Sequence, residues 1–297
     1  MESKVLRYFC AVVDCGSFTG AAAALSIAQP AISMSIKRLE QEVGFPLFNR
    51  LERRLSLTDE GEVLYRHAKT VTQRVDDARN AMNELQGLES GLVRVGIPGM
   101  LGSYHFPSLL MAFRHRYPDI KLSIVDAGTV KLQSMLEQGE VDLAFVESDT
   151  ILPSLEGVSI MQVPMVAAVA EDHRFASRPT IGVEEFLREE LAIFKPGYFH
   201  RQLIDQLAEK AGIELNVSIE TNLIPLMKSF VRQGFGITAF LDIVLQEGEG
   251  LVAIPFTEDF LLDIQVAWRK QGYLSMANRA FRDFMIEESH RGSPSLG

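Results

Sequence analysis

Between Gly87 and Gly91 the apolar period of this chain changes, and that change limits what it can fold into. Before it, hydrophobic residues recur at the three-and-four spacing of amphipathic helices; after it, short β-rich runs alternate with helical segments. Two periods call for two kinds of core, and 297 residues suit two domains separated by a hinge.

The second part carries extended runs at Leu92–Ile97, Ile120–Val125, Leu143–Val146, Met165–Ala170, Leu191–Phe194, Val217–Glu220, Gly236–Phe240, Leu251–Ile254 and Leu262–Trp268. Strands alternating with helices imply βαβ units and a mostly parallel sheet, and residues 91–290 are enough for two. In open α/β folds ligands sit beyond the carboxyl ends of strands. The loops to watch hold Pro98, Gly99, Met100, Gly102 and Ser103, then Thr129, then Lys195, Phe199 and His200, then Asn222. The glycines at 96, 99 and 102 do not have the G-x-G-x-x-G spacing of a dinucleotide fold, although exposed N–H groups opening a helix suit a small anion. Each of these residues is equally well explained as a loop or capping residue.

The first part begins with Leu6, Phe9, Val12 and Val13 at helical spacing, a helix over 3–14 that Gly16 ends. Thr19 is placed to cap a short helix through Ala21–Ala24. After a break at Ser26–Ala28, residues 29–43 resume with the stripe Ile32, Ile36, Leu39 and Val43. Gln29, Pro30, Ser33, Met34 and Lys37 lie off that stripe. The pattern describes a helix-turn-helix whose second helix would present Gln29, Ser33 and Lys37 to a major groove, with Pro30 in the first helical turn. By themselves these helices equally describe an ordinary hairpin with solvated polar residues. What tips the balance follows Phe48, where Arg50, Arg53 and Arg54 precede Leu55 and Leu57 in what reads as a short hairpin with a basic tip, a wing suited to phosphates and minor grooves.

Charge distribution agrees. The whole chain carries −10, which argues against a nucleic-acid partner, but residues 1–58 hold seven Lys and Arg against five acids. Thr58, followed by Asp59, Glu60 and Glu62, starts a long helix. Its apolar positions Leu64, Ala68, Val71, Val75, Ala78, Met82 and Leu85 alternate steps of four and three, the seam of a coiled coil and a basis for dimerisation; packing against its own domain is the alternative. A dimer of such modules reads a two-fold symmetric operator.

Other classes are weaker. There is no G-x-S-x-G, H-E-x-x-H, P-loop or Cys/His cluster, so neither an enzyme, a metal nor another cofactor is expected; His105 and His115 read as solvated. Cys10 and Cys15 are five residues apart on or beside one helix, about 140° apart in direction, and read as reduced thiols. The longest apolar run, Val163–Ala170, is too short for a bilayer and holds Pro164, and no leader precedes the first helix, so a cytoplasmic location without membrane contact is expected.

The run Phe9, Gly16, Ser17, Phe18, Thr19, Ala21, Ala22, Leu25, Gln29, Pro30, Ala31, Ser33, Ile36, Leu39, Glu40, Gly44, Pro46, Leu47, Phe48, Arg50, Leu57, Thr58 and Gly61 closely resembles the N-terminal winged helix of LysR-type transcriptional regulators. Two positions depart from it: Ala28 stands where a capping Ser or Thr is common, and Met34 where an arginine is usual, so that one contact is either absent or replaced by apolar contact with a thymine methyl. The resemblance implies a winged helix-turn-helix domain at 1–58, a linker helix and hinge at 59–90, and an α/β effector domain at 91–297 like a periplasmic binding protein. Subdomain I would span about 92–162 and 268–290, and subdomain II about 163–267, with the named loops lining the cleft between them. It further implies operator DNA, RNA polymerase, a small-molecule effector and a homodimer or homotetramer as partners. Lys195 and His200 would suit a carboxylate effector, His200 titrating near neutrality, while Met100 stands where relatives often have a small polar residue. The rival reading is a cytosolic small-molecule-binding protein without a DNA function.

Overall fold

The computed structural model describes residues 1–49, 55–85 and 91–292, without the side chains of residues 80, 83–85 and 292. Arg50, Arg53 and Arg54, expected at the wing tip, lie outside the described residues, as does the side chain of Leu85. The chain divides into two compact units, Met1–Leu88 with Gln138–Glu140, and Glu89–Glu137 with Val141–Gly297.

The first unit opens with α1 (Ser3–Asp14), α2 (Phe18–Leu25) and α3 (Gln29–Val43). Ser17, not the expected Thr19, caps α2: its Oγ accepts the Gly20 N–H at 3.0 Å. The spacing rules explain the shift, since a cap bonds the backbone two or three residues ahead and Ser17 stands just before the helix. The tight turn puts Ser26 in the left-handed region at φ 55°. Ile32, Ile36 and Leu39 are buried against Leu6, Phe9 and Val12 of α1 and Ala21 and Ala22 of α2, each large side chain worth about 2 kcal/mol of burial. Two short strands, β1 (Phe48–Asn49) and β2 (Ser56–Leu57), pair antiparallel as the stem of the wing. Helix α4 (Asp59–Leu85) follows, with Gly61 N–H bonded to Thr58 Oγ1 at 3.0 Å. A Cβ on Gly61 would lie 2.2 Å from the Leu47 carbonyl oxygen, so only glycine lets the helix start this close to the chain entering the wing.

The second unit has two lobes. In the first, β3 (Gly91–Gly96) pairs parallel with β4 (Ile120–Val125) and β5 (Leu143–Glu147), with α5 (Gly99–Tyr104), α6 (Phe106–Arg116) and α7 (Thr129–Gln138) between them. Strand β6 (Leu155–Ala170) belongs to both lobes. Its first half pairs with β11 (Leu261–Arg269), and its second half pairs with β9 (Thr238–Leu241) and β10 (Leu251–Pro255). The second lobe is completed by α8 (Val183–Leu187), β7 (Glu190–Ile193), α9 (Phe199–Ala211), β8 (Asn216–Glu220) and α10 (Ile224–Arg232), with β7 and β8 parallel; α11 (Met276–Gly292) packs back on β3 and β6.

The expectation of a mostly parallel sheet needs correcting, because β6, β9, β10 and β11 all pair antiparallel. Two crossings between lobes produce this, since a strand entering one sheet from the other arrives reversed. The start of β6 escapes the apolar pattern because only Leu155 and Ile160 are buried between Leu155 and Gln162, and Pro164 follows. Pro164 stands where β6 leaves the first sheet, so its missing N–H costs no ladder bond there, and Met165 resumes with N–H to the Phe260 carbonyl at 2.8 Å. Strand β11 is hydrogen-bonded to β5 and to the first half of β6, so residues 261–267, expected in subdomain II, sit in the first lobe's sheet.

Candidate functional site

On α3 the buried stripe leaves Gln29, Pro30, Ser33, Met34 and Lys37 exposed on the other side, Met34 by 57%. Ala28 precedes the helix and makes no side-chain cap; Pro30 has no N–H to satisfy, and the Ala31 N–H goes to the Ala28 carbonyl at 3.0 Å. Arg38, not singled out by the spacing, is exposed beside Lys37. Its signal was its position one residue further off the same stripe. This face is polar, cationic and held by a packed core, which suits contact with a phosphate backbone and base edges.

Helix α1 runs antiparallel along α4. The Asp14 carboxylate accepts the Tyr65 hydroxyl and lies 3.1 Å from Lys69 Nζ, and Arg7 makes a two-pronged pair with Asp76 at 2.7 and 3.0 Å. Burial and the Asp14 bond push the Tyr65 phenol up to about 12, and burial pushes the Cys10 thiol up to about 11, which leaves it unreactive. Cys15 is exposed, and both cysteines are free. The face of α4 turned to α1 thus holds Tyr65, Lys69 and Asp76. The expected seam divides: Ala68 is buried and Leu64 half-buried in the winged-helix core, while Val71 is 43% and Met82 56% exposed and Ala78 is exposed. Leu64 and Ala68 are therefore not available to a partner helix, because the first turns of α4 close the core of their own unit.

In the second unit a cavity of about 50 Å³ lies between the lobes, lined by Pro98, Gly99, Met100, Thr129, Phe199, His200 and Asn222 among the residues singled out from sequence. Gly102, Ser103 and Lys195 are not in its lining. Gly102 and Ser103 sit further along α5, a helix where a loop was expected, and Lys195 is exposed, fixed through its backbone N–H to Asn222 Oδ1 at 3.0 Å. Sequence reasoning missed Asp126 and Glu147, at or just past the ends of β4 and β5, and the apolar wall of Leu101, Phe194, Ile224, Leu241, Leu262 and Ile264. The strand-end rule could have found the two acids, since each closes a strand of the first lobe.

Helices α5, α7, α9 and α10 all begin at this cavity, with Gly99, Thr129, Phe199 and Ile224 as their first residues. The lobes meet tightly beside it: a Cβ on Gly128 would lie 2.1 Å from the carbonyl oxygen of Gly197, itself at φ +96°. His200 is buried against the Phe194 ring at 3.8 Å between centroids, and burial drives its imidazole down to about 3. It is neutral at physiological pH, which overturns the expectation of a cation titrating near 7. Its Nε2 is buried with no hydrogen-bond partner. His105 is half-buried rather than solvated, and desolvation lowers its imidazole. Desolvation likewise raises the carboxyl groups of Asp126 and Glu147. Among the described residues no group of His, Cys, Asp and Glu is placed to hold a metal, and no helix is long and apolar enough to cross a membrane.

A helix-turn-helix unit followed by a two-lobed α/β unit with an interlobe cavity defines a class, the DNA-binding transcriptional regulators with an effector-binding domain. Residues 3–62 match the bacterial regulatory helix-turn-helix model of the lysR family, residues 86–289 match the LysR substrate binding domain, and the chain belongs to the LysR family. It is 29% identical to the uncharacterized HTH-type transcriptional regulator YybE of Bacillus subtilis, over 96% of this chain and 98% of that one. A full-length OxyR variant from Pseudomonas aeruginosa has the same fold, with a TM-score of 0.76 at 21% identity over 96% of this chain and 94% of that one. So does full-length CbnR complexed with its target DNA, with a TM-score of 0.67 at 21% identity over 97% of this chain and all of that one.

Proposed function

We propose that this regulator binds a two-fold symmetric operator as a dimer and that a small molecule in the interlobe cavity sets its activity. Gln29, Ser33 and Met34 at the start of α3 enter the major groove, Lys37 and Arg38 take phosphates, and Arg50, Arg53 and Arg54 hold the flanking backbone or minor groove. Val71, Val75, Ala78, Met82 and Leu85 form the dimer seam, shortened by the positions that α4 gives to its own core. The effector domains carry assembly on to a tetramer, which bends the operator and meets RNA polymerase in the cytoplasm, with no catalytic step of its own. The observation that carries the DNA reading is the split of α3 into a stripe buried at Ile32, Ile36 and Leu39 and an exposed polar, cationic edge.

The test is a gel shift of the full chain against the intergenic DNA beside its own gene, across a salt series. Binding should weaken linearly in log salt; Lys37→Ala should weaken it on every sequence and reduce the salt slope by about one, whereas Ser33→Ala should change base preference with the slope intact. Equal loss of slope from both variants would sink the division of labour. Absence of any salt-sensitive shift would sink the operator reading itself.

A further inference from the structure

The electrostatics of the interlobe cavity say which charge its ligand carries. Glu147 lies in the lining at 3% exposure, and its carboxylate accepts the Asp149 N–H at 3.3 Å, the Thr150 hydroxyl at 2.9 Å and the Thr150 N–H, all neutral donors. Among the described residues no Lys or Arg pairs with it, and the lining contains neither. Asp126 lines the mouth of the same cavity and accepts the Gly99 N–H. A buried carboxylate without a countercharge is unfavourable, and the group that relieves it is a cation brought in from outside. His200 points the same way: it is neutral, it lines the cavity, and its buried Nε2 has no partner, so it can accept a hydrogen bond from a donor on a ligand.

The helix N-termini that open here favour an anion in principle, but each carries at most about half a charge, confined to its first turn. The one at Gly99 is already occupied by Asp126, and at the entry to α10 Thr221 Oγ1 takes the Leu223 N–H at 3.1 Å. Two whole carboxylates stand against these fractional charges. The apolar part of the wall, Met100, Leu101, Phe194, Leu241, Leu262 and Ile264, favours an alkyl or small ring body, while Thr129, Tyr198 and Asn222 add neutral polar groups to the lining. A water needs roughly 10–15 Å³ of such space, so 50 Å³ admits only a handful of non-hydrogen atoms while the lobes stay as they are.

We infer that the effector is a small amine, an ammonium group on a short apolar body, with the ammonium paired to Glu147 and Asp126 and an N–H donated to His200. This replaces the carboxylate effector expected from Lys195 and His200, the first of which is outside the lining and the second uncharged. It rests on the cavity being the effector site.

The experiment uses the full chain and three probes of one size, n-propylammonium chloride, sodium propionate and 1-propanol, at matched ionic strength, with binding read by saturation-transfer NMR and by thermal shift. Propylammonium should bind saturably and propionate should not. Glu147→Gln, which keeps the acceptor for Asp149 and Thr150, should weaken the ammonium at least about tenfold, and Asp126→Asn at the mouth should weaken it less. Should Glu147→Gln fail to fold, the Asp126→Asn titration alone decides. Ammonium binding unchanged in both variants would overturn the assignment, and so would binding of propionate in its place. If that propionate binding were lost on filling the cavity with Ile264→Phe, the cleft would survive as the effector site. Silence from all three probes would overturn the amine and the cavity reading together.

Discussion

His200 shows how one buried side chain shapes the behaviour of the effector unit. Its imidazole is held near 3 by burial alone, whereas in an unfolded chain it titrates near its ordinary 6.5. Above 6.5 both states are neutral and the histidine makes stability independent of pH. Below 6.5 the unfolded chain gains a proton that the folded chain refuses, so stability is lost as pH falls, by up to about 1.4 kcal/mol per pH unit until the folded value is reached. The carboxyl groups of Asp126 and Glu147 in the same cavity are raised, so they act in the opposite sense, favouring the folded state as they take up protons on acidification. His105 and His173, also lowered, act with His200. A comparison with His200→Gln removes these common contributions. In urea unfolding of the effector transition, the stability difference between wild type and His200→Gln should shift by about 1 kcal/mol between pH 6 and pH 5, in favour of the variant at the lower pH. An unchanged difference across that interval would mean the imidazole protonates in place. The residue number was legible from its place after a strand; its charge state was not, because nothing in Lys195–His200 says that Phe194 will close over the ring.

At the scale of elements, the apolar stripe of α4 is covered by its own unit at one end only. Leu64 and Ala68 belong to the winged helix, and from Val71 onward the stripe lacks cover within the described residues, although Val75 remains half-buried. Substitutions at the two ends should therefore fail differently. Leu64→Ala should cost about 2 kcal/mol or more in the stability of the DNA-binding unit and leave the oligomeric state alone. Met82→Glu should leave that unit folded and shift the full chain toward monomer, because a charge at a coiled-coil seam must be buried on dimerisation. Sedimentation velocity beside chemical denaturation separates the two, and dissociation by both variants would show one continuous seam. The same helix marks what periodicity can reveal. Steps of three and four located the apolar stripe and the start at Thr58, but periodicity cannot say which neighbour covers which turn. That depended on α1, whose Arg7 and Asp14 reach α4 through pairs more than fifty residues apart. The strands tell a similar story: the alternation of β and α segments was legible, while the reversal of β6 depends on a crossing that local sequence does not encode.

For the whole molecule, the question is how a ligand in one unit alters DNA binding by another. Thermodynamics constrains this more tightly than any picture of the motion. If an effector changes operator affinity by some factor, operator must change effector affinity by the same factor, and couplings of this kind amount to about 1–3 kcal/mol. The interlobe contact supplies a lever on that coupling. With a Cβ at 2.1 Å from the Gly197 carbonyl oxygen, Gly128→Ala cannot keep the lobes as close as they stand here. A ligand that binds both lobes gains affinity only to the extent that they can close on it. Gly128→Ala should therefore weaken effector binding while leaving operator affinity in the absence of effector near its original value, and the factor by which effector and operator influence each other should shrink toward one. Calorimetric titrations of effector with and without saturating operator, and of operator with and without saturating effector, measure the four constants of the cycle for wild type and for Gly128→Ala. Unequal factors in the two directions would point to an unaccounted species such as a change of oligomer. Equal factors that survive Gly128→Ala undiminished would mean that closure beside the cavity is not what couples the two sites.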